Sequence, residues 1–467
     1  MAMAALEQSR TGLRTERRMS MSDDTLSAAY NQWRWKILVS TFVGYVGFYL
    51  TREIFPVVKT TLAKEWGFVD EYGNGIPGHV APIWAAYYFA YMVGQFLVSA
   101  IGRRTGARIL LLGGLGASIA VNVICGTLNS PRTFMLFMVV NGLLQATGWP
   151  GCVGTVAEWL RPHGRGFIMG VWSTNLLVGT LMVKFLAGWL LHWTWRYSYF
   201  GCALLALAVW ALLLFWQRNQ PEDVNLRSVV RDGGEAGRAV AVSNALHIPF
   251  AEYLRLARHP LVVMMAVGYF SVKFLRYSAT SWLPSFLELH TGLSKVHAAY
   301  YSTMFELGGL PGMILAGWAF QRWFRGNWAA LCVIGGVGAV AGYGLINRLG
   351  ADPWAVALCF GFVGFMLYVS DSLLKGVASV EVAGERNGIA VAGLVNGVAS
   401  AAPVLQELVI GQGMKGPDPH ANFHYAMRVS MPVAILYVLT MAATVWLLRR
   451  HQAASRNRRV GPDADSL

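Results

Sequence analysis

The chain has 467 residues, of which 55% are hydrophobic and only 13% charged, and its mean hydropathy is +0.44. A soluble domain of this length carries about a quarter charged residues, so the composition excludes a water-soluble enzyme, while 51 glycines and 18 tryptophans suit close-packed membrane helices with interfacial aromatics. The net charge of +14 does not mean nucleic-acid binding, because the basic residues punctuate apolar runs and form no continuous face.

Residues 1–30 contain no apolar core of the signal-peptide kind, so no cleavable signal peptide is expected. Met19 and Met21 are alternative starts. A membrane helix needs about 20 apolar residues to cross ~30 Å of hydrocarbon. On that measure twelve runs follow, at 36–62, 80–101, 109–128, 133–160, 166–191, 196–217, 261–287, 297–320, 329–348, 354–378, 387–411 and 426–449.

The short connections carry a charge bias. Arg34 and Lys36 precede run 1, Arg103, Arg104 and Arg108 follow run 2, Arg161 and Arg165 follow run 4, and Arg322 and Arg325 follow run 8. Arg449, Arg450, Arg456, Arg458 and Arg459 close the chain. The alternate connections are poorer in Lys and Arg, so the positive-inside rule puts both termini in the cytoplasm. The one long polar connection, 218–260, divides the runs six and six. The predicted organisation is a cytoplasmic tail (1–35), a six-helix half (36–217), a cytoplasmic central loop (218–260), a second six-helix half (261–449) and a cytoplasmic tail (450–467). Within the loop, "FAEYLRLARH" has the pattern of an amphipathic surface helix.

Charges inside apolar runs carry the functional signal, since each costs at least ~2.5–3.5 kcal/mol near the bilayer centre. They are Arg52, Glu53 and Lys59 in run 1, Lys184 in run 5, Lys273 and Arg276 in run 7, Glu306 in run 8, Asp371 and Lys375 in run 10, and Glu407 in run 11. Helical spacing puts Arg52 on one face with Tyr45, Tyr49 and Lys59, and Arg276 on one face with Lys273; Tyr277 adjoins it. Two arginines facing one cavity need an anion between them, and a guanidinium fork suits a bidentate oxyanion, above all phosphate. Lys59 and Lys184 suit either cavity lining or snorkelling. Glu306 reads as a coupling or gating group, Asp371 and Lys375 as a local pair four residues apart, and Glu53, ~100° around a regular helix from Arg52, as the counter-ion of a charge on another helix.

Nothing in the chain points to catalysis or to a metal or organic cofactor. Cys125, Cys152, Cys202, Cys332 and Cys359 lie in apolar segments without metal-ligand spacing, and read as packing residues. The ten histidines lie in loops or near run ends, and no GxxxxGK[ST] loop occurs.

"RWKILVSTFVGYVGFYLTREIFPV", "GLLQATGWPGC", "FLRYSATSWLPSFL" and "FELGGLPGMILAGW" resemble the organophosphate:inorganic-phosphate antiporters of the major facilitator superfamily. The resemblance spans about residue 33 to the end of run 11. It implies an all-α membrane protein of twelve transmembrane helices in two six-helix pseudo-repeats, exchanging a phosphorylated metabolite for inorganic phosphate by alternating access. It implies phosphate-holding roles for Arg52 and Arg276 and a functional glutamate at Glu306. The chain departs from the family pattern at Glu53, where a lysine is usual, at Gln95, Leu176 and Ser281, and at Arg103 and Gln321 in the loops.

The expected substrate-binding set is Arg52, Arg276, Lys273, Lys59, Tyr45, Tyr49 and Tyr277, with Glu306, Asp371 and Lys375 for coupling. The expected partners are a small anion, inorganic phosphate and the lipid bilayer, with a monomeric protein in a bacterial inner membrane. Two rivals remain: a membrane sensor of external organophosphate, which would need a kinase partner, and a proton-coupled exporter of organic anions or drugs.

Overall fold

The computed structural model describes residues 28–160, 168, 171–226, 250–324, 327–374 and 378–459. In chain order the helices are α1 (28–50), α2 (Ile54–Glu65), α3 (Ala81–Thr105), α4 (Ala107–Thr127), α5 (Pro131–Gln145), α6 (Gly148–Trp159), α7 (Asn175–Leu190) and α8 (Trp195–Trp216). They continue with α9 (Phe250–Ala257), α10 (Pro260–Leu289), α11 (Lys295–Tyr301), α12 (Met304–Arg322), α13 (Trp328–Ile346), α14 (Pro353–Ser372), α15 (Ala378–Ala399), α16 (Ala402–Gly413) and α17 (Pro419–Arg459). The amphipathic stretch of the central loop is α9. Among the described residues, eight helices are long and apolar enough to cross a membrane.

The burial pattern is that of a membrane protein. Phe89, Phe96, Leu204 and Phe215 are exposed on the outside of the bundle, which in water would be an aggregation surface. Trp193 and Trp323 are exposed at helix ends, the place of interfacial tryptophans. The five cysteines are free, four of them buried and Cys359 half-buried.

Several expected runs are not single helices, and proline explains where three of them break. Pro56, Pro150 and Pro403 cannot donate to the carbonyls four residues back, and their rings clash with them. The helices are interrupted at 51–53, 146–147 and 400–401 accordingly. A carbonyl freed inside the membrane needs another donor. Thr51 O receives Asn122 Nδ2 at 2.8 Å and Asn141 Nδ2 at 2.9 Å, and Ala146 O receives Gln95 Nε2 at 3.4 Å. At a fourth break, 302–303, Ser302 O receives Lys184 Nζ at 3.0 Å.

Helices α1–α8 pack chiefly on one another, as do α10–α17. The two groups meet mainly where α2 touches α10, α3 touches α16, and α7 touches α11 and α12. All these contacts lie beyond Arg52 and Arg276, away from the chain termini. Close approach there requires small residues: a Cβ on Gly188 would stand 2.8 Å from Ala299 Cβ, and a Cβ on Gly411 would stand 2.5 Å from Ala81 Cβ. The bundle is therefore shut at the end opposite its termini.

Near that shut end, His290 caps α10, stacks on Phe423 at 4.0 Å and meets His420 Nδ1 through its own Nδ1 at 2.9 Å. Burial, followed by the charges of His420 and His424, pulls its pKa down to about 4. Folded protein thus keeps His290 neutral, whereas the unfolded chain protonates it below pH ~6.5. The stability it contributes is complete above that value and is lost as pH falls towards 4. Melting temperature in detergent is expected to drop between pH 7 and pH 5, and His290→Phe, which keeps the stack, should flatten that slope. An unchanged slope in the variant would show that other groups govern the pH response.

Candidate functional site

The break in run 1 builds the first side of the site. It puts Arg52 in the turn between α1 and α2, with its backbone N–H donating to Tyr49 O at 3.0 Å. Gln145 Nε2 donates to Thr51 Oγ1 at 2.8 Å, so α5 holds the turn through side chain as well as backbone. The guanidinium then lies among aromatic rings, with Tyr91 at 4.8 Å, Tyr49 at 5.3 Å, Tyr87 at 5.9 Å and Tyr88 at 6.0 Å from its centre. Such faces stabilise a cation without neutralising it.

α10 builds the other side. Arg276 lies 4.5 Å from the Tyr277 ring and 5.4 Å from that of Tyr368. Arg52 Nη2 donates to the Tyr277 hydroxyl at 3.4 Å, so one tyrosine links the arginines of the two helix groups. One turn away, Lys273 Nζ donates to Asn396 Oδ1 at 2.8 Å, in the last turn of α15, and to Ser400 Oγ at 3.3 Å, in the α15–α16 break.

These residues line one cavity of about 300 Å³ between the helix groups, at the small end of the ~300–1,000 Å³ typical of ligand sites. Its wall includes Tyr45, Tyr49, Arg52, Lys273, Arg276 and Tyr277, six of the seven residues expected to bind substrate. Three cations and no carboxylate line it among the described residues. Tyr91, Trp149, Asn396 and Ser400 also line it, and sequence reasoning missed them. No cation lies in the apolar runs that hold them (80–101, 133–160 and 387–411), and uncharged side chains in apolar runs do not stand out from packing residues.

The seventh residue, Lys59, is elsewhere. It is fully buried beyond the cavity, where Nζ meets Glu407 Oε2 at 3.0 Å and donates to Ser281 Oγ at 2.8 Å. Ser281, at a position where the resemblance expects an aspartate, donates to Glu407 Oε1; the carboxylate comes instead from α16. Glu306 binds Lys184 Nζ at 2.6 Å. Both pairs cross between the helix groups on the shut side.

Two counter-ions differ from expectation. Glu53 Oε1 stands 3.1 Å from Nε of its neighbour Arg52, not on another helix, because the turn at 51–53 abolishes the ~100° separation of a regular helix. Asp371 Oδ1 stands 3.6 Å from Arg276 Nε; Lys375, its expected partner, lies outside the described residues.

The comparisons agree with this architecture. The Major Facilitator Superfamily model matches residues 37–406, and the chain belongs to that superfamily as an integral, multi-pass membrane protein. Its similarity to the organophosphate:inorganic-phosphate antiporters within it is equally plain. It is 26% identical over 385 residues to a glycerol-3-phosphate transporter of Bacillus subtilis, covering 80% of this chain and 84% of that protein. It is also 26% identical over 374 residues to the membrane sensor protein UhpC of Salmonella typhimurium, covering 79% and 83%. In fold it matches a bacterial homologue of the lysosomal transporter Spinster in an inward-facing, occupied conformation, with TM-score 0.67, 14% identity and coverage of 90% and 97%.

Removing one member of a buried pair leaves the other charge uncompensated, at a cost of about 3–5 kcal/mol. Thr60 Oγ1 and Ser285 Oγ lie 3.2 Å apart beside the Lys59–Glu407 pair. A Thr60→Cys/Ser285→Cys protein should therefore cross-link readily on oxidation. Adding Glu407→Gln should lower the yield several-fold by favouring separation of the shut end. An undiminished yield would show that the pair does not hold that end closed.

Proposed function

We propose that the protein is a secondary transporter that exchanges a phosphorylated organic anion for inorganic phosphate by alternating access. The observation that carries this reading is the cavity shared by Arg52 and Arg276, lined by cations and, among the described residues, without a carboxylate in its wall. The similarity to a glycerol-3-phosphate transporter supports the substrate class. Sugar phosphates, glycerol phosphates and related small phosphorylated anions all present the group that two guanidinium forks grip.

In this reading the twelve runs form two six-helix halves in a bacterial inner membrane, with both termini in the cytoplasm. The cavity then opens to the cytoplasm and the shut end faces outward. Substrate enters between Arg52 and Arg276, with Lys273, Tyr45, Tyr49 and Tyr277 shaping the remainder of the site. Bound anion draws the cavity side together, while the Lys59–Glu407 and Lys184–Glu306 pairs part to open the other side. Alternation thus trades one set of buried charge contacts for another.

The equal identity to a membrane sensor supports a second reading, in which the same site binds organophosphate with little flux. One assay separates the two. In proteoliposomes, phosphate:phosphate exchange should be readily measurable, and Arg52→Lys or Arg276→Lys should lower it at least ~30-fold, because truncating a buried charged contact costs 2 kcal/mol or more. Exchange that persists in both variants would sink the proposal. Tight organophosphate binding with negligible exchange would favour the sensor.

A further inference from the structure

Both cavity arginines already stand beside a carboxylate of the chain. Glu53 Oε1 lies 3.1 Å from Arg52 Nε, with the two side chains only 3% and 4% exposed, and Asp371 Oδ1 lies 3.6 Å from Arg276 Nε, at 8% and 0%. Neither contact is an aligned hydrogen bond: Arg52 Nε, Arg276 Nε and Glu53 Oε2 are buried without a hydrogen-bond partner among the described residues. The carboxylates neutralise charge but do not fill the forks that would grip an oxyanion. Neither lines the cavity wall, so an anion can occupy the cavity while both remain in place.

This arrangement bears on the step that decides whether a carrier exchanges or leaks. A carrier moving between its two states without substrate carries its binding charges through a low-dielectric interior. Uncompensated, that is prohibitive, and only the loaded carrier moves; compensated by fixed counter-ions, the empty carrier moves too. Two of the three other buried Lys and Arg residues of the described core fit the same pattern, Lys59 beside Glu407 and Lys184 beside Glu306, while Lys273 donates to Asn396 and Ser400. We propose that Glu53 and Asp371 are resident counter-ions that stand in for substrate at Arg52 and Arg276, so that the empty carrier reorients and the protein catalyses net anion flux as well as exchange. This rests on the transport reading above and concerns its coupling. The same carboxylates repel a bound anion, so they weaken substrate affinity in return for mobility of the empty state.

The test compares two fluxes from the same proteoliposomes, loaded with radiolabelled inorganic phosphate and clamped with potassium and valinomycin. Efflux into phosphate-containing medium reports exchange, and efflux into phosphate-free medium reports net transport. In the unsubstituted protein, net efflux is expected within about tenfold of exchange. Glu53→Gln, close in shape but uncharged, should lower the ratio of net to exchange flux at least tenfold while tightening phosphate binding several-fold. Asp371→Asn should move both quantities in the same direction. A protein merely damaged by substitution would lose binding and both fluxes together, and that outcome in both variants would overturn the proposal. So would net efflux below about a hundredth of exchange in the unsubstituted protein, or a ratio unchanged in both variants. Absence of exchange in the unsubstituted protein would instead remove the transport reading, and this inference with it.

Discussion

The carbonyl oxygen of Thr51, held at 2.8 and 2.9 Å by the side-chain amides of Asn122 and Asn141, is the contact on which the site depends. Pro56 removes one helical hydrogen bond and crowds the carbonyl four residues back, and a broken helix in hydrocarbon is tolerable only when its freed backbone groups find new donors. Two asparagines from α4 and α5 supply them. The break then sets Arg52 in a turn, faces it with tyrosines, and brings Glu53 onto it. With regular backbone here, Arg52 and Glu53 would point ~100° apart and the arginine would lack its nearest counter-charge.

The same economy recurs around the cavity. Gln95 holds the carbonyl freed near Pro150, and Lys184 holds that of Ser302 while also meeting Glu306. The breaks, the buried charges and the boundary between the helix groups therefore coincide. A charge that would be intolerable on an uninterrupted helix facing lipid is placed where backbone dipoles, aromatic faces and carboxylates surround it. Two kinds of cation result. Lys59 and Lys184 are consumed in contacts that shut one end, whereas Arg52, Arg276 and Lys273 face open space at the other.

Much of this was legible in the sequence because a charge in an apolar run is conspicuous. Arg52, Arg276 and Lys273 stood out as cavity residues on that ground, and Tyr45 and Tyr49 followed from helical spacing. What was not legible depended on long-range pairing or on broken helices. Lys59 shares a spacing with Arg52 that holds only for a continuous helix, and its partner Glu407 lies 348 residues away. Asp371 and Lys375 look paired by spacing alone, yet Asp371 stands by Arg276 on another helix. Asn396 and Ser400 are ordinary polar residues until the fold turns them to the ammonium of Lys273.

The most direct measurement is an anomalous difference map from crystals of the protein grown with arsenate, a heavy-atom mimic of phosphate. An arsenic peak within hydrogen-bonding distance of both the Arg52 and Arg276 guanidiniums is the predicted result. A peak elsewhere in the bundle, or an empty cavity at saturating arsenate, would contradict an anion site between these two arginines.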